Sequence, residues 1–239
     1  MKATVLARGS LGNPSKAVSV SYMGLSGGRI DQSFIMMGMG RTSDAKERLI
    51  QSGRQLMLER GYTAVGVADL CDRAGVNKGS FYHAFPSKQE LALEVIDSFW
   101  ADTSSLLDEM VTGDGPPLER LRRFFEAAHA QQRKVSKDCG RVAGCPLGSL
   151  AQEMSSQDSV LRKRLGEVFD RHVGRFERLI AEAVGRGDLP RIDARRAARS
   201  LVALLEGVLL LAKTWNDPEM LAGLRDDALR LLGVSGAKK

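Results

Sequence analysis

Two short stretches hold the residues best suited to chemistry. The first is Ala74-Gly75-Val76-Asn77-Lys78-Gly79-Ser80-Phe81-Tyr82-His83-Ala84-Phe85. In a helix Phe81 and Phe85 stand i, i+4 and share one face. With that face inward, Lys78, Ser80, Tyr82 and His83 turn outward, and Gly79 offers bare backbone. A short helix with a basic, hydroxyl and aromatic outer face suits the major groove of DNA. Asn77 and Lys78 lie at its N-terminus, where free N–H groups favour phosphate. Before it, Ala74 allows close packing, Gly75 supplies a positive φ and Val76 plugs a small core, which makes a tight turn between two helices. The plain alternative is a three-helix subdomain whose polar face is simply solvated.

The second stretch is Cys139-Gly140-Arg141-Val142-Ala143-Gly144-Cys145-Pro146-Leu147-Gly148-Ser149-Leu150. Cys145 stands at or just before a helix start. A helix N-terminus favours thiolate over thiol, and Arg141 adds a nearby cation. The expectation is a thiol pKa below the reference of about 8.5, a group that electrophiles would modify. The alternative is a small apolar filler at a crowded bend. Cys71 falls on the buried face of a helix. Cys139 and Cys145 are separated by five residues, the wrong spacing for a zinc knuckle, and only His83, His129 and His172 could add imidazole. No metal and no cofactor is expected. A Cys139–Cys145 disulfide is the weaker redox option.

Apolar spacing then predicts the elements that position these residues. Asp44 with Glu47 opens a helix carrying Leu49, Ile50, Gly53, Leu56 and Met57, which Gly61 stops. Val67, Leu70, Cys71 and Ala74 form a second helix, and Asn77 caps a third that must end before Pro86. Ser87 with Glu90 is a capping box for a long helix through Leu91, Val95, Phe99, Leu106 and Met110. Pro116 or Pro117 starts the next, with Leu118, Leu121, Phe124, Phe125 and Ala128. Residues 136–146 read as irregular, and a short helix follows from Leu147 to Met154. Asp158 caps a long helix from Leu161 to Ala183. Asp193 caps an apolar one through Leu201 and Leu209, and Asp217 opens a last one through Leu221, Leu224 and Leu231. No strand alternation, repeat or phosphate-binding glycine loop occurs, so the class is all-α. The organisation is a disordered tail over 1–40, a DNA-binding unit over 41–86 and a ligand-binding and dimerisation unit over 87–239. Met36, Met37 and Met39 offer an alternative translation start.

Composition adds bounds. Hydrophobic residues make up 43% and charged residues 27%, a globular balance. Aromatics, at 5%, are too few for a Tyr- or Trp-rich recognition surface. No apolar run reaches the length of a membrane helix. With no signal peptide read in the sequence, the three thiols are expected to lie in a reducing cytoplasm. The net charge of +6 is not concentrated on the helix-turn-helix stretch, since eight basic residues balance eight acidic ones over 41–100. A claim of DNA binding therefore rests on where side chains point.

From Thr42 to Leu91 the chain resembles the tetracycline-repressor (TetR) family of transcriptional regulators. The residues that carry the resemblance are Ala74-Gly75-Val76-Asn77-Lys78-Gly79-Ser80-Phe81-Tyr82-His83-Ala84-Phe85 and Ser87-Lys88-Gln89-Glu90-Leu91. It implies a three-helix DNA-binding domain, a helical ligand domain and a homodimer on double-stranded operator DNA. It also implies phosphate contacts from Tyr82, His83 and Lys88, and groove contacts from Lys78, Gly79 and Ser80. Arg41, with Thr42 beside it, either reaches the minor groove as an arm or is a tail charge. Asn77 replaces the usual Ser or Thr as a cap. Gly66 stands where a capping hydroxyl is usual. The Gly-Cys-x-x-Gly core with Glu153 beyond it resembles a subgroup that includes repressors of N-ethylmaleimide-reductase and acrylate-degradation operons, which respond to electrophiles or small unsaturated compounds.

Trp100, Phe124, Phe125, His129, Phe169, His172 and Phe176 fall on the inner faces of three long helices. They either line a cavity for a small-molecule effector, the default site of a helical bundle, or pack as core. Leu201, Leu204, Leu205, Val208, Leu209, Leu221, Leu224 and Leu231 exceed what one bundle needs, and pairing with a second copy would make a four-helix interface. The expected function is a ligand-responsive repressor and not an enzyme. The alternatives are a cysteine-dependent enzyme, for which no Cys/His pair is evident, and an architectural DNA-binding protein without a ligand.

Overall fold

The computed structural model describes residues 41–234. Among the described residues there are nine α-helices, a 3-10 turn and no strand, the expected all-α class. The helices are α1 (Arg41–Arg60), α2 (Val67–Ala74), α3 (Lys78–Ala84), α4 (Lys88–Thr112), α5 (Pro117–Cys139), α6 (Pro146–Met154), α7 (Ser159–Arg186), α8 (Ala194–Trp215) and α9 (Leu224–Leu231). The tail expected over 1–40 and the alternative start lie outside the described residues.

Local chemistry accounts for most helix ends. Asn77 Oδ1 accepts from Ser80 N–H at 2.8 Å and Ser87 Oγ from Glu90 N–H at 3.1 Å. Asp158 and Asp193 cap α7 and α8 in the same way. Gly66 has no side chain to cap α2, and its own N–H instead donates to the Asp69 carboxylate at 2.8 Å. Three ends differ from expectation. α1 begins at Arg41, so Asp44 sits inside its first turn, where a carboxylate suits the helix dipole. α5 continues to Cys139, so only the part of residues 136–146 after Cys139 is irregular. The last helix is broken into a 3-10 turn, Pro218–Leu221, and α9, with Gly223 at the break.

Helices α1 to α3 close around Leu49, Leu70, Phe81 and Phe85, all buried. α4 serves two neighbourhoods. Its first half packs on α1 through Leu91 and Val95, and its second half packs on α5 and α7 through Leu107 and Met110. Gly53 of α1 lets the two axes approach, since a Cβ there would stand 2.8 Å from a Val95 methyl. Arg54 of α1, 8% exposed, donates to Ser98 and Asp102 of α4 and locks the same pair of helices.

The segment between α5 and α6 is held by two side-chain amides. Buried Gln132 pairs with Gly144 in both directions, at 3.1 and 3.2 Å. Asn216, past the end of α8, accepts from Val142 N–H at 2.8 Å and donates to the Gly140 carbonyl at 3.2 Å. Irregular backbone that is partly buried needs such partners.

Candidate nucleic-acid interface and effector cavity

α2 ends at Gly75, whose φ of 63° lets the chain reverse, and Val76 N–H donates to the Cys71 carbonyl at 3.0 Å. α3 then lies on the small core through Phe81, with Phe85 behind it at 6.1 Å between ring centroids. Lys78, Gly79, Tyr82 and His83 are exposed, and Ser80 is half-buried. Tyr82, at 56% exposure, is among the most exposed aromatic rings described, although its inner edge meets Phe81 at 5.2 Å. Gly79 keeps the outer face low, and a Cβ there would sit 3.2 Å from the capping Asn77 Oδ1. Asn77, Lys78, Gly79, Ser80, Tyr82 and His83 thus share one short, shallow surface. Arg41 and Thr42 lie in the first turn of α1.

Lys88 is placed differently from the expected phosphate contact. Its ammonium turns inward, donates to the carbonyls of Tyr62 and Val65 at 3.1 and 2.9 Å, and lies 4.1 Å from the Tyr62 ring centre. It stitches α4 to the turn between α1 and α2, and burial pulls its pKa down.

Glu153 of α6 grips the same turn. Its carboxylate accepts from Tyr62 N–H at 2.8 Å and Thr63 N–H at 2.7 Å. Burial pushes its pKa up, but the hydrogen bonds from Thr63 and Tyr62 outweigh this and hold it below the usual carboxylate range. Gly61, at φ 81°, makes room, because a Cβ would stand 2.9 Å from that carboxylate. Sequence spacing gave no sign of this strut, since its partners are backbone groups about ninety positions away.

The expected aromatic cavity is a packed cluster. Phe124, Phe125 and Phe176 meet one another at 5.3 to 6.2 Å and are buried. His172 tilts against Phe176 at 5.5 Å, and Trp100, also buried, carries the Arg175 guanidinium on its face at 4.9 Å. Phe169 is half-buried against the core. His129 lies 3.3 Å from Glu219. T-shaped and stacked rings fill their own space, which is why facing apolar residues did not mean a void.

A cavity of about 490 Å3 lies elsewhere, between α1, α4, the end of α5, the irregular segment and α6. Met57, Leu58, Phe99, Val135, Val142 and Leu150 supply its apolar wall. Cys139 lines it. It abuts Gly61 and Glu153, so it touches the strut that joins α6 to the helix-turn-helix.

Cys145 does stand at the start of α6, and its sulfur accepts from Gly148 N–H at 3.3 Å. The thiol pKa nevertheless moves opposite to expectation. Burial pushes it well up and the Glu206 carboxylate adds to this, outweighing the helix N–H groups. The space beside its small neighbours is taken up by α8. α8 presses Lys213 against Gly144, within 3.0 Å of where a Cβ would be, and Glu206 against Gly148. The glycines around Cys145 exist to let α8 approach.

Two family models match the chain. One, for the tetR family of bacterial regulatory proteins, matches residues 49–95, and another, for the tetracyclin repressor-like C-terminal domain, matches residues 117–227. The transcriptional repressor DhaR of Mycobacterium sp. (strain GP1) is 32% identical over 189 residues, covering 77% of this chain and 89% of DhaR. The transcriptional regulator AcuR of Cereibacter sphaeroides is 33% identical over 186 residues, covering 77% of this chain and 83% of AcuR.

The chain belongs to the tetR family of bacterial regulatory proteins.

The crystal structure of reduced NemR from Escherichia coli superimposes with a TM-score of 0.70 at 25% identity, covering 81% of this chain and all of that one. The tetR match begins inside α1 and ends in α4, so it includes both sides of the Gly53–Val95 contact. Among the described residues no helix is long and apolar enough to cross a membrane.

The interior of this tetR-family chain holds a histidine and three thiols whose burial has measurable consequences. His172 is 5% exposed, and burial, with the Arg175 cation beside it, lowers its pKa from 6.5 to about 4. Above pH 6.5 both folded and unfolded states hold it neutral. Below that the unfolded chain takes up a proton and the native chain does not, so stability falls as pH drops from 6.5 towards 4, by up to about 3 kcal/mol. Denaturant titrations across this window should show the loss in the natural protein and a smaller one in His172→Leu; equal slopes would contradict it. Brief alkylation with iodoacetamide at neutral pH should label Cys139 before Cys145 and leave buried Cys71 last. Mass spectrometry showing Cys145 labelled first would contradict the placement of its thiol.

Proposed function

We propose that the chain is a ligand-responsive transcriptional repressor that binds a palindromic operator as a homodimer and leaves it when a small molecule binds. The observation that carries this is the outer face of α3. Lys78, Gly79, Tyr82 and His83 are exposed on a helix whose only buried residue is Phe81. DhaR and NemR are named as transcriptional repressors, which supports the sign of the regulation. In this reading residues 41–86 hold the DNA and residues 87–239 bind effector and partner.

The dimer seam of this reading keeps only some of the residues first expected. Leu201, Leu205, Leu209, Leu221 and Leu224 are buried within the protomer. The apolar surface left over is Leu204 and Val208, half-buried, with Leu211 and Trp215, exposed, which form one stripe along α8. Leu210 and Leu231 stand beside it, also exposed. Exposed leucines and a tryptophan on one helix fit a symmetric contact.

Two recognition helices of such a dimer must enter successive major grooves about 34 Å apart. An effector that changes this spacing weakens DNA binding, and DNA must weaken effector binding by the same factor. Glu153 and α4 are the rigid links through which the body of the protein reaches the DNA-binding helices. The test is the salt dependence of binding. Lys78→Ala should lower the slope of log affinity against log salt by about one unit. An unchanged slope and affinity would remove α3 from the interface.

A further inference from the structure

We infer that the cavity between α1, α4 and α6 binds an organic monocarboxylate with an apolar body, its carboxylate held by Arg141 and Lys213. The charged groups of the cavity differ in their partners. Three carboxylates line the cavity, and each already has a partner. Asp102 accepts from Arg54, which lines the same wall. Glu59 pairs with Arg73 outside it at 3.2 Å. Glu153 accepts the two backbone N–H groups of the strut. The two remaining cations differ. Arg141 has no hydrogen-bond or carboxylate partner among the described residues, and Lys213 donates only to the Ser149 hydroxyl, at 3.0 Å.

Both cations are exposed residues that also line the cavity, so they stand at its mouth. Their positions are fixed by the backbone around them. Asn216 holds the chain on both sides of Arg141, and Lys213 lies against Gly144. A guanidinium and an ammonium without carboxylate partners, at the rim of a half-apolar cavity of about 490 Å3 whose own carboxylates are already hydrogen-bonded or ion-paired, match a molecule with one anionic end and a hydrophobic remainder. Phe99 and Leu150 provide surface for that remainder.

The location gives binding a consequence. One wall belongs to α1, and the opposite wall belongs to the segment ending in α6. A ligand bridging them sets the angle between the DNA-binding helices and the body, beside the Glu153 strut. That consequence rests on the regulator reading; the binding site does not.

The experiment titrates the full-length protein, without DNA, with 4-phenylbutanoate and decanoate by calorimetry. The neutral amide of 4-phenylbutanoate is the control. Saturable binding is expected, at least about tenfold weaker for the amide and for each of Arg141→Gln and Lys213→Gln. Glu177→Gln, which removes a carboxylate that does not line the cavity and is paired with Arg195, should leave affinity unchanged. Ala143→Phe fills the cavity and should abolish binding while the circular dichroism spectrum is kept. No binding of either acid up to about 10 mM, equal binding of the amide, or indifference to both cation substitutions would overturn the site. A second titration, with DNA carrying a bound site, separates the two readings. Binding in the cavity without any effect on DNA affinity would leave the site standing and remove its regulatory role.

Discussion

With Leu210 and Leu211 both changed to aspartate, the protein is expected to sediment as a folded monomer and to lose operator affinity by ~10²–10⁴-fold. Both leucines are exposed in the protomer, at 44% and 40%, so the change removes no intramolecular core. Burying four carboxylates in a two-fold apolar seam has no compensating partner and opposes association. Each monomer retains one α3 and binds a half-site only, which removes the gain from two linked contacts. Helical circular dichroism should be preserved, and sedimentation should show one protomer mass. A dimer that survives the double substitution would place the interface elsewhere. The buried neighbour makes the contrast: Leu224 is 1% exposed, so Leu224→Arg would force a charge into the core under α9 and damage the fold itself.

Phe81→Ala should cost about 3–5 kcal/mol of stability, the usual range for a buried phenylalanine. The ring is fully buried, supports Tyr82 from behind and closes the core between α1, α2 and α3. α3 has only seven residues, too few to be helical without that packing. DNA binding should therefore disappear together with the loss of stability. Tyr82→Phe keeps the same ring against Phe81 and removes only an exposed hydroxyl, so it should leave unfolding nearly unchanged while weakening DNA binding. Denaturant titration and DNA titration of the two variants together distinguish support from contact. Equal effects of both variants on stability would contradict the assignment of Phe81 as core and Tyr82 as surface.

The outer face of α3 was legible because it is local. Asn77, Gly75 and the Phe81/Phe85 pair act within one or two helical turns, and cap, turn and inward face follow from residue type alone. The inward placement of the Lys88 ammonium was not legible, for the opposite reason. Its partners are the carbonyls of Tyr62 and Val65, and backbone acceptors leave no mark in a sequence. The same holds for Glu153 and its two N–H donors. Cys145 illustrates a conflict of local and global effects. The helix start predicts a lowered pKa, yet Glu206, sixty-one positions on, and burial under α8 push it up. The aromatic residues of α5 and α7 were correctly placed on inner faces. Periodicity reports which way a side chain points and says nothing of whether the facing side chains leave space. The cavity beside Glu153 is walled by α1, α4, the end of α5, the irregular segment, α6 and Lys213 of α8, so no single pattern pointed to it.

The most direct test of the central claim is selection of binding sites from random double-stranded DNA by the full-length protein, followed by footprinting of the selected site. The account predicts a two-fold symmetric sequence with half-sites centred about one helical turn apart, protected by the unaltered protein and not by Lys78→Ala or the Leu210→Asp, Leu211→Asp variant at the same concentration. Failure to enrich any sequence, or protection undiminished in those variants, would contradict it.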